Sequence, residues 1–200
     1  MMNIYLASRS PRRIELLRNL GLCFEVISLD IEESQGLPGQ TASFLARENA
    51  WRKASYAAAL LSGGIVIAAD TIVVLQGEIL GKPVDAAHAK YMLKRLGNRE
   101  HEVITGLCIM EIKDRTYSLA AETSRVFFNP LSEEEISAYI ATGESMDKAG
   151  AYGIQGRAAV FIHRIEGCYF NIVGLPLSKL YLMLKEYGIN ILRGANRDAI

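Results

Sequence analysis

Cysteine is scarce in this chain, and Cys23, Cys108 and Cys168 lie far apart. Three thiols at such spacing exclude a disulfide framework and a CxxC metal knuckle, so a reducing, cytoplasmic setting is expected. Histidine is as scarce: His88, His101 and His163 lack ligand spacing, and HEV at 101–103 does not continue into a zincin motif, which excludes a structural zinc. Neither sign of charge is in excess, with 22 Lys plus Arg against 22 Asp plus Glu. No global field would then hold the chain on nucleic acid or an anionic membrane. There is no charged-then-apolar leader layout, and the apolar run IVIAADTIVVL is short and broken by Asp70; a membrane span is not expected. Internal repeats, low-complexity stretches and linkers are also missing.

What is present is 200 residues of 50% hydrophobic content, enough for one sizeable core. A single domain over 1–188 and a C-terminal tail over 189–200 are expected, with two lobes around a cleft as a variant of that plan. Helical periodicity falls at 11–20, 41–62, 85–96, 132–142 and 177–187, each stopped by a glycine: Gly21, Gly63, Gly97, Gly143 and Gly188. Ser132 with Glu135 predicts a capping box, and Asp85 an N-cap. Between the helices lie β-rich runs: IYLA, FEVIS, IVIAADTIVVL, EIL, HEVITGLCIMEI, TYSLAAETSRVFF, AAVFIHRI and CYFNIVG. Short polar joints at 76–77, 113–115 and 166–167 predict hairpins. Crossover units thus alternate with antiparallel pairs, and the predicted class is α/β, a mixed twisted β-sheet with flanking helices.

Chemistry concentrates in few places. LASRSPRR at 6–13 joins an apolar strand to an amphipathic helix. Pro11 suits the first helical position, which makes Ser10 the N-cap and turns the next amides outward. Those amides, the Ser8 and Ser10 hydroxyls and the guanidiniums of Arg9, Arg12 and Arg13 would converge on a polyanion; the alternative is a solvated basic turn. Asp70 sits inside a run whose composition is that of a strand buried on both faces, where a lone carboxylate must be paired, hold a metal or open into a cleft. Strand alternation sends Thr71 to the opposite face. Gly81-Lys82-Pro83 could hold an ammonium rigidly, or be a turn with a solvated lysine. Glu32, Glu33, Glu48 and Lys53 have the residue types of exposed faces and loops. The glycines of DKAGAYGIQG, at 150, 153 and 156, suit a loop that approaches a flat ligand. Within it Gln155 could pair with the imide edge of uracil or thymine, and with its amide flipped, with cytosine.

In this order, SRSPRR, AADTIV, GKP, ITG at 104–106, DKAGAYGIQG and YFNIVGLP at 169–176 resemble the Maf family of nucleoside triphosphate pyrophosphatases, from about residue 4 to residue 185. The resemblance implies an α/β fold with a nucleotide cleft, hydrolysis of a nucleoside triphosphate to the monophosphate and pyrophosphate, and a divalent metal cation, Mg2+ or Mn2+. It implies that Asp70 is the catalytic base, that Arg13 and Lys82 are phosphate and catalytic groups, and that Glu33 and Lys53 are further polar members of the site. Arg12, Thr71 and Gln155 fall at specificity positions, and Asp70 and Glu33 are the metal ligands expected. AYGIQG is similar to the branch acting on dTTP and UTP. The alternatives are a pyrophosphatase for a modified nucleotide such as 7-methyl-GTP, and a nucleotide-sensing regulatory module that binds without hydrolysis. A nucleotidyltransferase is disfavoured because no GxGTR-type loop follows the first strand. The expected partner is the nucleotide substrate, with no nucleic acid and no membrane; assembly as a homodimer is left open.

Overall fold

The computed structural model describes residues 2–193 except Glu32, Gln35 and Pro38. Its elements follow the hydrophobic periodicity closely. Strand β1 (Ile4–Ala7), helix α1 (Pro11–Asn19), β2 (Glu25–Ile27), α2 (Ala42–Ala59), β3 (Ile65–Leu75), β4 (Glu78–Leu80) and α3 (Ala86–Leu96) are succeeded by β5 (Glu100–Glu111), β6 (Tyr117–Phe128), α4 (Glu133–Ala141), β7 (Ile162–Glu166), α5 (Tyr169–Val173) and α6 (Leu177–Glu186). The seven strands form one sheet in the order β2-β1-β3-β5-β6-β7, with β4 also on β3. β1 pairs parallel with β2 and β3, whereas β3–β4 and β6–β7 are antiparallel. The sheet is therefore mixed, as the alternation of crossovers and hairpins predicts.

The chain divides into two compact units. The first comprises residues 1–70, 105–122 and 174–200. Its core joins Tyr5 and Ala7 of β1, Val66 and Ala68 of β3, and Cys108 and Met110 of β5 to Ala50, Ala54, Ala57 and Ala58 of α2. Alanines one turn apart give α2 a flat face, which lets a helix backbone lie close to strands. Gly106 marks the tightest approach: a Cβ there would stand 2.2 Å from the Ala46 carbonyl oxygen. The second unit comprises 71–104 and 123–173. Leu75, Leu93, Leu96, Phe128 and Ile136 are among its fully buried core residues. Ser132 and Glu135 form the capping box at α4, and Asp85 caps α3 by accepting from the His88 amide at 2.7 Å.

Four expectations change. CYFNIVG contains a helix, α5, and AAVFIHRI begins as a 3-10 turn over Arg157–Phe161 before β7. The joint at 166–167 opens into α5, not into a second hairpin strand. Tertiary hydrogen bonds explain this: Ser124 Oγ accepts from the Cys168 amide and from Asn171 Nδ2, both at 2.9 Å, and Asn171 also donates to the Val103 carbonyl. That tethering overrides the β-branched local pattern. Past Gly188, where a loose tail is expected, Ile189 and Ile191 bury their side chains; residues 194–200 of the expected tail lie outside the described residues.

Candidate active site

Asp70 lies on the continuous strand β3 and is 4% exposed. Its carboxylate is paired, as the cost of burial requires. Lys53 Nζ donates to Asp70 Oδ1 at 2.5 Å and to Glu33 Oε1 at 2.6 Å. Asn49 Nδ2 donates to Asp70 Oδ2 at 3.1 Å. Asn49 and Lys53 are one helical turn apart on α2, so one face of that helix delivers both donors to β3. Asn49 further ties down the preceding loop, accepting from the Ser34 amide at 3.0 Å and donating to the Ser34 carbonyl at 3.2 Å. Glu33 belongs to this loop and is brought to the Lys53 ammonium. Among the described residues of 30–40 there is no helix or strand, so the carboxylate is held by side-chain bonds. Burial raises the Asp70 carboxyl above its ordinary value, with the Lys53 ammonium opposing and the Glu33 carboxylate reinforcing. Asp70 is thereby a better proton acceptor than a surface aspartate.

Arg13 lies in the first turn of α1 and is buried. Its Nε donates to the Gly174 carbonyl at 2.7 Å and its Nη1 to the Ala69 carbonyl at 2.9 Å. Burial lowers this guanidinium from its ordinary value, while the Asp70 and Glu33 carboxylates favour its charged form. The three arginines of SRSPRR therefore do not share one role: Arg9 turns to Asp30 in an exposed ion pair at 3.0 Å, and Arg12 is half-buried and repels Arg13. Ser10 occupies the N-cap position with Pro11 after it, but its side chain makes no cap hydrogen bond; Ser8 Oγ accepts from the Ser10 amide at 3.1 Å.

Against known proteins, a family model described as Maf-like protein matches residues 3–187. The chain belongs to the Maf family. It is 49% identical over 189 residues to the dTTP/UTP pyrophosphatase of Carboxydothermus hydrogenoformans, covering 94% of this chain and 100% of the relative. With the dTTP/UTP pyrophosphatase of Pelotomaculum thermopropionicum the identity is 48% over 192 residues, 96% and 100% of the two chains. Among solved structures, the Ham1 protein of Staphylococcus aureus superposes with a TM-score of 0.53 at 20% identity, covering 92% of this chain and 99% of its own. The HAM1 protein of Coxiella burnetii gives 0.53 at 20%, covering 93% and 100%. These two likenesses concern the fold.

The remaining expected residues of this Maf chain lie in the second unit. Thr71 follows Asp70 on β3 and is half-buried. Lys82 is exposed on the corner after β4, between Gly81, whose carbonyl accepts from the Gly150 amide at 3.0 Å, and buried Pro83. Gln155 is half-buried in the glycine-rich loop. Two contributors escaped sequence reasoning. Asn49 had a usable signal, a polar residue one turn before Lys53 on an alanine-rich helix; the Gly174 carbonyl that orients Arg13 had none, because a backbone acceptor carries no residue type. No group of three or more His, Cys, Asp or Glu gathers as a metal centre among the described residues. Asp70 and Glu33 do converge on one cation, the Lys53 ammonium, and two carboxylates with phosphate oxygens are a donor set that suits Mg2+ or Mn2+. No helix among the described residues is long and apolar enough to cross a membrane.

Proposed function

We propose that this chain hydrolyses dTTP and UTP to the nucleoside monophosphate and pyrophosphate. The observation that carries the reading is a buried Asp70, raised as a base and held by Lys53 and Asn49, in a chain 49% identical to a dTTP/UTP pyrophosphatase. A water oxygen attacks the α-phosphorus, the bond from that phosphorus to the bridging oxygen breaks, and Asp70 accepts the proton at a carboxylate oxygen. Arg12 and Lys82 offset the charge on the departing pyrophosphate, the main electrostatic demand of such chemistry. Arg13 holds the Ala69 carbonyl, beside Asp70 in the chain, and adds its charge. Asp70 and Glu33 would hold a divalent cation, Mg2+ or Mn2+, which when bound makes water more acidic and neutralises phosphate charge. Gln155 reads the imide edge of the base, with Thr71 and Arg12 as further specificity residues.

Pyrophosphate release from dTTP, UTP, CTP, the purine triphosphates and 7-methyl-GTP, with and without Mg2+ or Mn2+, tests the reading. Turnover should be highest with dTTP and UTP and need the cation. Asp70→Asn should stay folded and lose about 10²–10⁴-fold in kcat. Better turnover of 7-methyl-GTP or a purine nucleotide overturns the pyrimidine assignment; tight binding without turnover overturns the enzyme.

A further inference from the structure

His101 on β5 and Tyr152 in the glycine-rich loop belong to the second unit and have no part in the chemistry above. Both are buried, His101 at 2% and Tyr152 at 5% exposure. His101 Nε2 lies 2.7 Å from Tyr152 Oη. The two rings and Phe128 meet edge to face, with centroids 4.8, 5.1 and 5.3 Å apart. A phenylalanine would fill this space without needing a partner, so a polar pair inside an apolar core adds cost unless it fixes a position. Burial pushes the imidazole down to about 4, which keeps the pair neutral and its hydrogen bond intact at neutral pH.

What the pair fixes follows from the other ties on the loop. Tyr152 stands three residues before Gln155. Upstream, the Gly150 amide donates to the Gly81 carbonyl at 3.0 Å, next to Lys82. Downstream, the Arg157 amide donates to Glu144 Oε2 at 3.1 Å. Gly156 has a φ of +85°, a left-handed conformation that disfavours any side chain, and a Cβ there would also meet the same glutamate oxygen at 2.6 Å. Tyr152 is thus the buried anchor on the N-terminal side of Gln155, and Glu144 closes the other side. An amide discriminates between base edges only where it meets them in register, and displacement of the backbone that carries it by about 1 Å is enough to spoil such a geometry.

We infer that His101 is a positioning residue for base selection: by holding Tyr152 it fixes the backbone that carries Gln155, and so the place at which its amide meets the pyrimidine edge. The inference rests on Gln155 being the base reader. Steady-state kinetics with UTP and CTP on Gln155→Leu, Tyr152→Phe, His101→Leu and His101→Gln test it, with thermal denaturation to establish folding. Tyr152→Phe and His101→Leu should lower the UTP-over-CTP preference by about tenfold, the worth of one mispaired buried group. The change should appear in KM for UTP, with kcat held within about threefold. His101→Gln, whose amide reaches the Nε2 position, should restore the preference. If Gln155→Leu removes the preference while Tyr152→Phe and His101→Leu keep it, the pair is only core and the inference fails. If Gln155→Leu itself keeps the preference, the base-reading assignment fails and the inference with it. Should His101→Leu not fold, Tyr152→Phe, one oxygen smaller, decides.

Discussion

At the scale of the residue, the balance at Asp70 decides the chemistry. Burial raises its carboxyl, and the Lys53 ammonium at 2.5 Å restrains that rise. Activity that needs the carboxylate falls as pH falls through its value, so the acid limb of kcat/KM should lie above the range of an exposed aspartate. Lys53→Met removes the restraining charge and leaves the burial. The limb should then move to higher pH, with activity at neutral pH lost more than activity at pH 9. A pH profile from 5 to 9 reads this out; an unmoved limb would show that Lys53 does not set the base. Asp70 stood out in the sequence because a carboxylate in an apolar run demands a reason. That Lys53 and Asn49 pair with it was not legible, since they reach Asp70 from 17 and 21 residues away on another element.

At the scale of the element, α2 serves the site by lying close to the sheet. Its alanine face was legible as composition, but which strand it meets was not. Gly106 shows the constraint, having no space for a methyl group against the Ala46 carbonyl. Gly106→Ala should therefore cost about 1–3 kcal/mol, as overpacking does, and lower Tm by roughly 2–12 °C in a chain of this size. Because α2 carries Asn49 and Lys53, kcat should fall with the displacement; calorimetry and kinetics on the same sample check both. A variant with unchanged Tm would mean that the helix yields at no cost. The caps of α3 and α4 were readable because they depend on residues three apart. α5 was not, because Asn171 and Ser124 are separated by 47 residues.

At the scale of the whole molecule, folding stability should carry the signature of His101. Its imidazole titrates at about 4 in the folded chain against 6.5 for the ordinary group. Between those values the unfolded chain binds more protons, so stability is present above about pH 6.5 and is lost as pH falls toward 4, by up to roughly 3 kcal/mol. Asp70, raised in the folded chain, acts in the opposite sense over its own range. The difference between wild type and His101→Gln in urea unfolding across pH 4 to 7 isolates the histidine, and a difference independent of pH would refute the assignment.

Periodicity, glycine stops, caps and turn residues determined the α/β class, five of the six helices and most strands, because those signals act over one or two turns of chain. Ordered motifs determined the family and contain Asp70, Arg13 and Lys82, whereas Glu33 and Lys53 came from the resemblance alone. Tertiary structure alone decided which face of α2 meets β3, that Arg13 spends two donors on the Gly174 and Ala69 carbonyls, that Arg9 turns to Asp30, and that His101 meets Tyr152. Each of these is a contact between residues at least 17 positions apart. Such contacts form because burial leaves a polar group no water to bond, and which partner replaces the water is settled only when the chain has packed.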